Sequence, residues 1–370
     1  MVEISRYEVQ GGVSEYHVMI HVDNLRLTYV EQVEFVLSAY AELLESELKG
    51  AVAVFKRFFL SDAANQSDYL QTLLMEQETC PLSIVEQPPL NGTKIVLWAY
   101  LQKGVEVKKL SHGMYEVKHG AYHHLWMAGA CYKASDAEVQ TRQLFNDYIT
   151  NLQEQGCTLA DNCLRTWFFV QNVDVNYAGV VKARNEVFAT QNLTNQTHFI
   201  ASTGIAGRHA DYRATVLMDA YAVHGICKEQ VHYLYAPTHL NPTYEYGVSF
   251  ERGTYVEYGD RRQVFISGTA SINNKGEVMH PGDIRRQTLR MWENVEVLLA
   301  EAECTFDHVA HLLVYLRDIS DYTVVKEMFD ARFPNIPKVY LLAPVCRPGW
   351  LIEMECMAIK TITNTSFPAY

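Results

Sequence analysis

Two carboxylates stand two residues apart in an otherwise apolar run, Leu351-Ile352-Glu353-Met354-Glu355-Cys356-Met357. Side chains alternate along a strand, so Ile352, Met354 and Cys356 share one face and Glu353 and Glu355 share the other. A carboxylate taken out of water is cheaper to protonate or to pair than to leave charged. Protonation makes a general acid; pairing with an arginine makes a structural tie. The expectation is that one of Glu353 and Glu355 takes the first role and the other the second. Arginine suits a carboxylate ligand because its planar fork donates two parallel hydrogen bonds. Other reactive types offer less. His123-His124 lacks an acid or thiol at ligand spacing, so no metal site is expected. Cys346 reads as a small buried hydrophobe rather than a nucleophile. No phosphate-cradling glycine loop or dinucleotide fingerprint is present, and no cofactor is expected.

The elements that must position these residues recur along the chain. From Asp283, residues Ile284, Leu289, Trp292, Val295, Leu298 and Leu299 keep helical spacing, and His311 to Leu316 has strand character. An earlier copy starts at Asp136: Gln140 falls on Gln287, Thr141 on Thr288, Cys157 on Cys304 and Thr158 on Thr305, without a gap. The preceding strands agree, Leu125 to Gly129 falling on Val264 to Gly268. A fainter copy runs from Val33 through Val52–Asp62. Each copy closes on another apolar strand, Lys94 to Tyr100, Tyr212 to Val223 and Trp350 to Ile359. The expected architecture is α+β: three like units in one chain, closing as a pseudo-trimer with a central β-barrel-like core, outer helices and clefts at the seams. The expected divisions are 1–118 for a degenerate unit, 119–226 for a second, 227–260 for an inserted segment and 261–370 for the third. At the Glu353 position the second unit has Leu217 and the first has Leu97 or a neighbour. Only one seam keeps the acid.

Composition bounds the partners. Lys plus Arg is 31 against 43 for Asp plus Glu, a formal charge of −12 over 370 residues. That argues against the broad basic face that nucleic acid requires, although a local arginine cluster can still hold a small anion. No apolar run reaches membrane-spanning length, and residues 1–6 carry an early acid and no apolar run. The eight cysteines are dispersed, with no C-x-x-C pair. A cytoplasmic location with reduced thiols is expected, with no nucleic-acid or membrane partner. The chain is expected as a monomer, itself a pseudo-trimer, or as a dimer of such pseudo-trimers.

The third unit resembles the Rid/YjgF family, also described as endoribonuclease L-PSP proteins, at Phe265-Ile266-Ser267-Gly268, Asn294-Val295, Val314 to Asp318, Asp321-Tyr322 and Arg347 to Glu355. The resemblance covers nearly all of 262–360, is weaker over 122–224, and survives only as pattern in the first unit. It implies a trimeric arrangement with ligand sites in the clefts, and Glu353 matches the family's catalytic position. A narrower likeness is to the chorismatases, through the spacing of Tyr177, Arg184 and Phe188, the phrase Ser267-Gly268-Thr269-Ala270-Ser271, and the order Asn241-Pro242, Tyr246-Gly247, Phe250-Glu251-Arg252. Thr243 and Tyr244 depart from that pattern. The likeness implies Glu353 as acid, with Tyr177, Arg184, Tyr246, Arg252, Ser267 and Thr269 around the substrate. Glu355, Arg165, Arg213 and Arg347 are weaker candidates, with Arg208 beside them. Imine-hydrolysing members hold the substrate with an arginine whose position here falls on Pro337, beside Lys338, or on Ser202. Three functions are therefore carried forward: acid-catalysed cleavage of an enolpyruvyl ether or related small carboxylate such as chorismate, hydrolysis of an enamine or imine, and metabolite binding without turnover.

Overall fold

The computed structural model describes residues 1–74 and 79–370. The chain begins β1 (Val2–Tyr7), β2 (Ser14–His21), α1 (Tyr29–Glu45), β3 (Val52–Leu60), α2 (Ala63–Leu74), β4 (Leu82–Glu86) and β5 (Ile95–Lys103). It continues β6 (Glu106–Lys109), β7 (Met114–His119), β8 (Tyr122–Cys131), α3 (Ala137–Glu154), α4 (Leu159–Asn162), β9 (Cys163–Val170), α5 (Val173–Thr190), β10 (Ala201–Ala206) and β11 (Val216–His224). The last part is β12 (Val231–Leu234), β13 (Gly253–Glu257), β14 (Arg261–Ala270), α6 (Ile284–Glu301), β15 (Val309–Leu316), α7 (Tyr322–Arg332), β16 (Lys338–Leu342) and β17 (Ile352–Thr361).

These strands form three sheets, ordered β1-β2-β5-β3-β4, β6-β7-β8-β11-β9-β10 and β12-β13-β14-β17-β15-β16. One plan underlies all three: a hairpin, extended by one edge strand in the second and third sheets, then the last strand, then a parallel pair joined by a helix. The repeated residues explain the repeated plan. Asp136 caps α3 by accepting from the Val139 amide, and Asp283 caps α6 by accepting from the Arg286 amide. Gln140 and Gln287 are both buried, and each bonds backbone beyond its own helix, at Arg213 and Thr215 or at Gly349 and Leu351. A buried amide must spend its polar atoms this way, so the glutamine clamps helix to the approach of the closing strand.

The inward faces of the sheets share one apolar cluster, with Phe55 and Trp98 from the first, Trp126 and Trp167 from the second, and Phe265 and Tyr315 from the third. Helices cover the outward faces, over separate clusters in the first two sheets. The barrel-like core expected from the sequence is absent as a closed barrel among the described residues. Among the described residues the sheets touch at isolated bridges, such as Glu86 with Arg208 and Ile205 with Val345, and otherwise meet through side chains. Sheet membership also changes earlier than the sequence divisions: β6 and all but the last residue of β7 precede residue 119 yet complete the second sheet. Likewise β12 and β13 lie within 227–260 and complete the third. No helix among the described residues is long and apolar enough to cross a membrane.

Candidate active site

Each closing strand lies between the hairpin and the parallel pair, and the registers align the three copies. Leu316 pairs with Ile352, Val170 with Val216, and Leu60 with Ile95. One step inward, Tyr315 faces Glu353, Phe169 faces Leu217, and Phe59 faces Val96. The acid thus has two apolar counterparts, and in the first sheet the position is Val96, next to Leu97. Two residues further, Glu355, Asp219 and Trp98 occupy the same register. Glu355 pairs with Arg165 of the second sheet at 2.7 Å, and Asp219 pairs with Arg57 of the first at 2.7 Å. Trp98 packs instead against His311 of the third, ring centroids 4.4 Å apart.

Glu353 opens on a cavity of about 490 Å³ between the second and third sheets, a volume suited to a small metabolite. One wall is α5, where Tyr177 and Arg184, seven residues apart, fall on one helical face. The roof is the segment before β13, carrying Tyr246, Phe250 and Arg252. Asn185 on α5 latches that roof, donating to the Gly247 carbonyl at 2.9 Å and accepting from the Ser249 hydroxyl at 2.7 Å. The floor is Gly268 and Ala270 of β14, with Cys346, Arg347 and Trp350 closing the far side. Two glycines make room. A Cβ on Gly268 would overlap the Glu353 carboxyl, and one on Gly204 would lie 2.5 Å from the Tyr177 ring.

Electrostatics are uneven across this space. Burial, reinforced by the charge of Glu355, pushes the Glu353 carboxyl up to about 8 against the opposing pull of Arg165 and Arg252. No hydrogen-bond partner meets that carboxyl among the described residues. Arg184 is only 1% exposed, yet its Nε and one Nη lack a partner among them. Arg252 spends one Nη on the Asn241 carbonyl and side-chain oxygen, and its Nε is unpartnered among the described residues. Arg347 stacks between Tyr246 and Trp350, 4.5 and 4.9 Å from the ring centroids. Burial also raises Tyr177 and Tyr246, and lifts the Cys346 thiol to about 12. Buried arginine donors without a partner among the described residues thus line the same cavity as this carboxyl.

The structure therefore gathers Glu353, Tyr177, Arg184, Tyr246, Arg252 and Arg347 around one space. It puts Ser267 and Thr269 elsewhere. The Ser267 hydroxyl donates to the Glu251 carbonyl and accepts from the Ser202 amide, and Thr269 donates to the Ser267 carbonyl. The cause is a register shift in β14–β17 between Ile266 and Thr269, which turns Gly268 and Ala270 to the cavity. Arg165 is committed to Glu355, and Arg213 lies at the surface against Asp211. Arg208 pairs with Glu86 at another seam. Phe250 and Trp350 stand in the sequence only within motifs, yet each lies near an arginine whose guanidinium its ring meets, Arg252 and Arg347, a signal the sequence carries. His123 meets Glu116 at 2.6 Å, and no group of three His, Cys, Asp or Glu able to hold a metal occurs among the described residues.

The family described as Endoribonuclease L-PSP matches residues 250–360. A RutC family protein of Pyrococcus abyssi is 31% identical over 99 residues, covering 26% of this chain and 78% of that protein. The 3-hydroxybenzoate synthase of Streptomyces hygroscopicus is 27% identical over 238 residues, 58% of this chain and 68% of its own length. Among solved structures, a chorismatase superposes with a TM-score of 0.65 at 18% identity, over 83% of this chain and 92% of that one, a likeness of fold. With the strand plan repeated three times and the matched residues spanning the strand that bears Glu353, the chain belongs to the Rid/YjgF family.

Proposed function

We propose that this chain is an enzyme that cleaves an enolpyruvyl ether on a small carboxylate, chorismate being the natural test substrate. The observation that carries the reading is that the buried Glu353 carboxyl, raised by burial to about 8, shares one cavity with donors of buried Arg184 that lack a partner among the described residues. Glu353 would donate its proton to the terminal methylene carbon of the enolpyruvyl group. The adjoining ether carbon becomes an oxocarbenium centre, which water attacks. The resulting hemiketal expels the ring alcohol, and pyruvate leaves with the methyl group the proton created. Arg184 and Arg347 would hold the carboxylates, Arg252 would stabilise charge near the roof, and the faces of Tyr246, Phe250 and Trp350 would exclude water. This chemistry calls on no metal or organic cofactor.

The same reading takes the three sheets, each with its helices, as one ring: a single-chain counterpart of the family's trimer in which one seam is catalytic. Purified protein incubated with chorismate should release pyruvate, and the Glu353→Gln variant should release about 10³-fold less, the span a positioned general acid supplies. Equal release by the two proteins would end the assignment. Ammonia from freshly generated imino acids, without pyruvate from chorismate, would select the imine-hydrolase chemistry instead. Carboxylate binding with neither product would select a metabolite-binding role.

A further inference from the structure

We propose that Glu355, Arg165 and Thr203 are positioning residues for the acid, a charge pair and a hydroxyl that hold the Glu353 carboxyl in its seat and set the field around it. The inference rests on the reading of Glu353 as the acid.

Glu355 lies on the same strand face as Glu353 and is 3% exposed. One oxygen takes the Trp167 indole N–H at 2.8 Å; the other takes Arg165 at 2.7 Å and the Thr203 hydroxyl. That hydroxyl has one proton, given to Glu355, and two lone pairs. They accept from Arg165 at 2.5 Å and from the Gly268 amide at 2.9 Å. Its capacity is fully used. Gly268 is the residue whose missing Cβ leaves room for the Glu353 carboxyl, and Thr203 Cγ2 would be 3.1 Å from such a Cβ. One hydroxyl therefore joins the ion pair across the seam to the floor on which the acid rests.

A simple structural tie would need less. At the neighbouring seam Asp219 pairs with Arg57 and accepts directly from the Gly129 amide at 2.6 Å, with no hydroxyl between. Leu217 stands there in place of the acid. The intermediary appears where an acid must be seated.

The groups facing Glu353 are Glu355 on its own strand, Arg165 on β9, Arg252 ahead of β13 and Tyr315 on β15. Tyr177 on α5 and Cys346 ahead of β17 complete the shell, with Arg184 across the cavity. Burial raises both tyrosines and the thiol, so the charges near Glu353 are those of Glu355 and the arginines.

The test titrates Glu353 directly, by carboxyl-carbon NMR of protein labelled in its glutamates, the resonance being assigned by its loss in Glu353→Gln. Glu355→Gln should lower the midpoint by about one pH unit and Arg165→Gln should raise it by a similar amount. Arg57→Gln should move it in neither direction. Should the single variants fail to fold, the Glu355→Gln/Arg165→Gln double variant leaves no unpaired charge, and its midpoint should lie within half a unit of wild type. Opposite shifts support the proposal, as does the double variant's predicted midpoint. Shifts that are absent or of one sign overturn it, as does a double-variant midpoint displaced by a full unit. Pyruvate release separates this from the reaction itself. Opposite shifts without pyruvate keep the positioning role and remove the chorismate reading; pyruvate release with unmoved midpoints does the reverse.

Discussion

Two seams of this molecule are built alike and are lined differently. Between the first and second sheets, Asp219 and Arg57 form a fully buried pair beside Gly129. Between the second and third, Glu355 and Arg165 form another, tied to Gly268 through Thr203. Breaking either pair should cost about 3–5 kcal/mol, because the surviving charge is left in a dry core. The locks alone therefore do not distinguish the seams. Two residues further out, one strand offers Leu217 and the other Glu353. Opposite them, α2 contains no arginine, whereas α5 supplies Arg184. In the proposed reading, a shared scaffold becomes a site through an acid and a cation added on facing elements.

The strongest way to break this comparison is to move the acid. Leu217→Glu should give the first seam a carboxyl without a receptor: stability should fall by about 3 kcal/mol in denaturant titration near neutral pH, and pyruvate release should not rise. Gain of a second activity would show that the acid alone makes the site. Next, Arg184→Gln should raise KM for chorismate about 100-fold, the loss expected when a buried charge-assisted contact is removed, and disturb kcat less. An unchanged KM would detach the helix from substrate binding.

The pH dependence of stability sharpens the contrast further. A carboxyl whose folded value is about 8 against 4.5 unfolded binds more protons folded than unfolded. Its contribution is fully present below 4.5 and is lost as pH rises through about 8. Relative to wild type, Glu353→Gln should therefore gain roughly 1.4 kcal/mol per pH unit across that window. Calorimetry from pH 5 to 8 measures it. A constant difference would mean that Glu353 is ionised throughout. The smallest expected effect compares the two glycines. Gly268→Ala should lower kcat about tenfold by displacing the Glu353 carboxyl. Gly129→Ala, at φ +64° and 3.1 Å from the Leu82 carbonyl, should cost about 1 kcal/mol of stability and leave kcat unchanged.

Much of this arrangement is legible in the sequence because periodic constraints write it there. Asp136 with Asp283 and Gln140 with Gln287 repeat because each helix needs the same cap and clamp. Strand alternation suffices to put Glu353 and Glu355 on one face, but both are buried, so only the family resemblance singles out Glu353 and only the fold shows that Arg165 pairs with Glu355. What alternation cannot carry is an insertion. The register shift after Ile266 sends Ser267 and Thr269 to backbone bonds and presents Gly268, which has no side chain to announce itself. The edge strands β6 and β12 are four residues each, too short for a period to show. Partners distant in sequence are equally silent: nothing near Arg165 foretells Glu355, whereas Arg213 has its partner Asp211 two residues away.

The most direct test follows the proton. With chorismate in heavy water at pH 7, pyruvate sampled at the earliest times by mass spectrometry should carry one deuterium in its methyl group. Its formation should fall about 10³-fold in Glu353→Gln. Pyruvate that appears without that deuterium, or that forms as fast in the variant, would contradict proton donation by Glu353 to the methylene carbon.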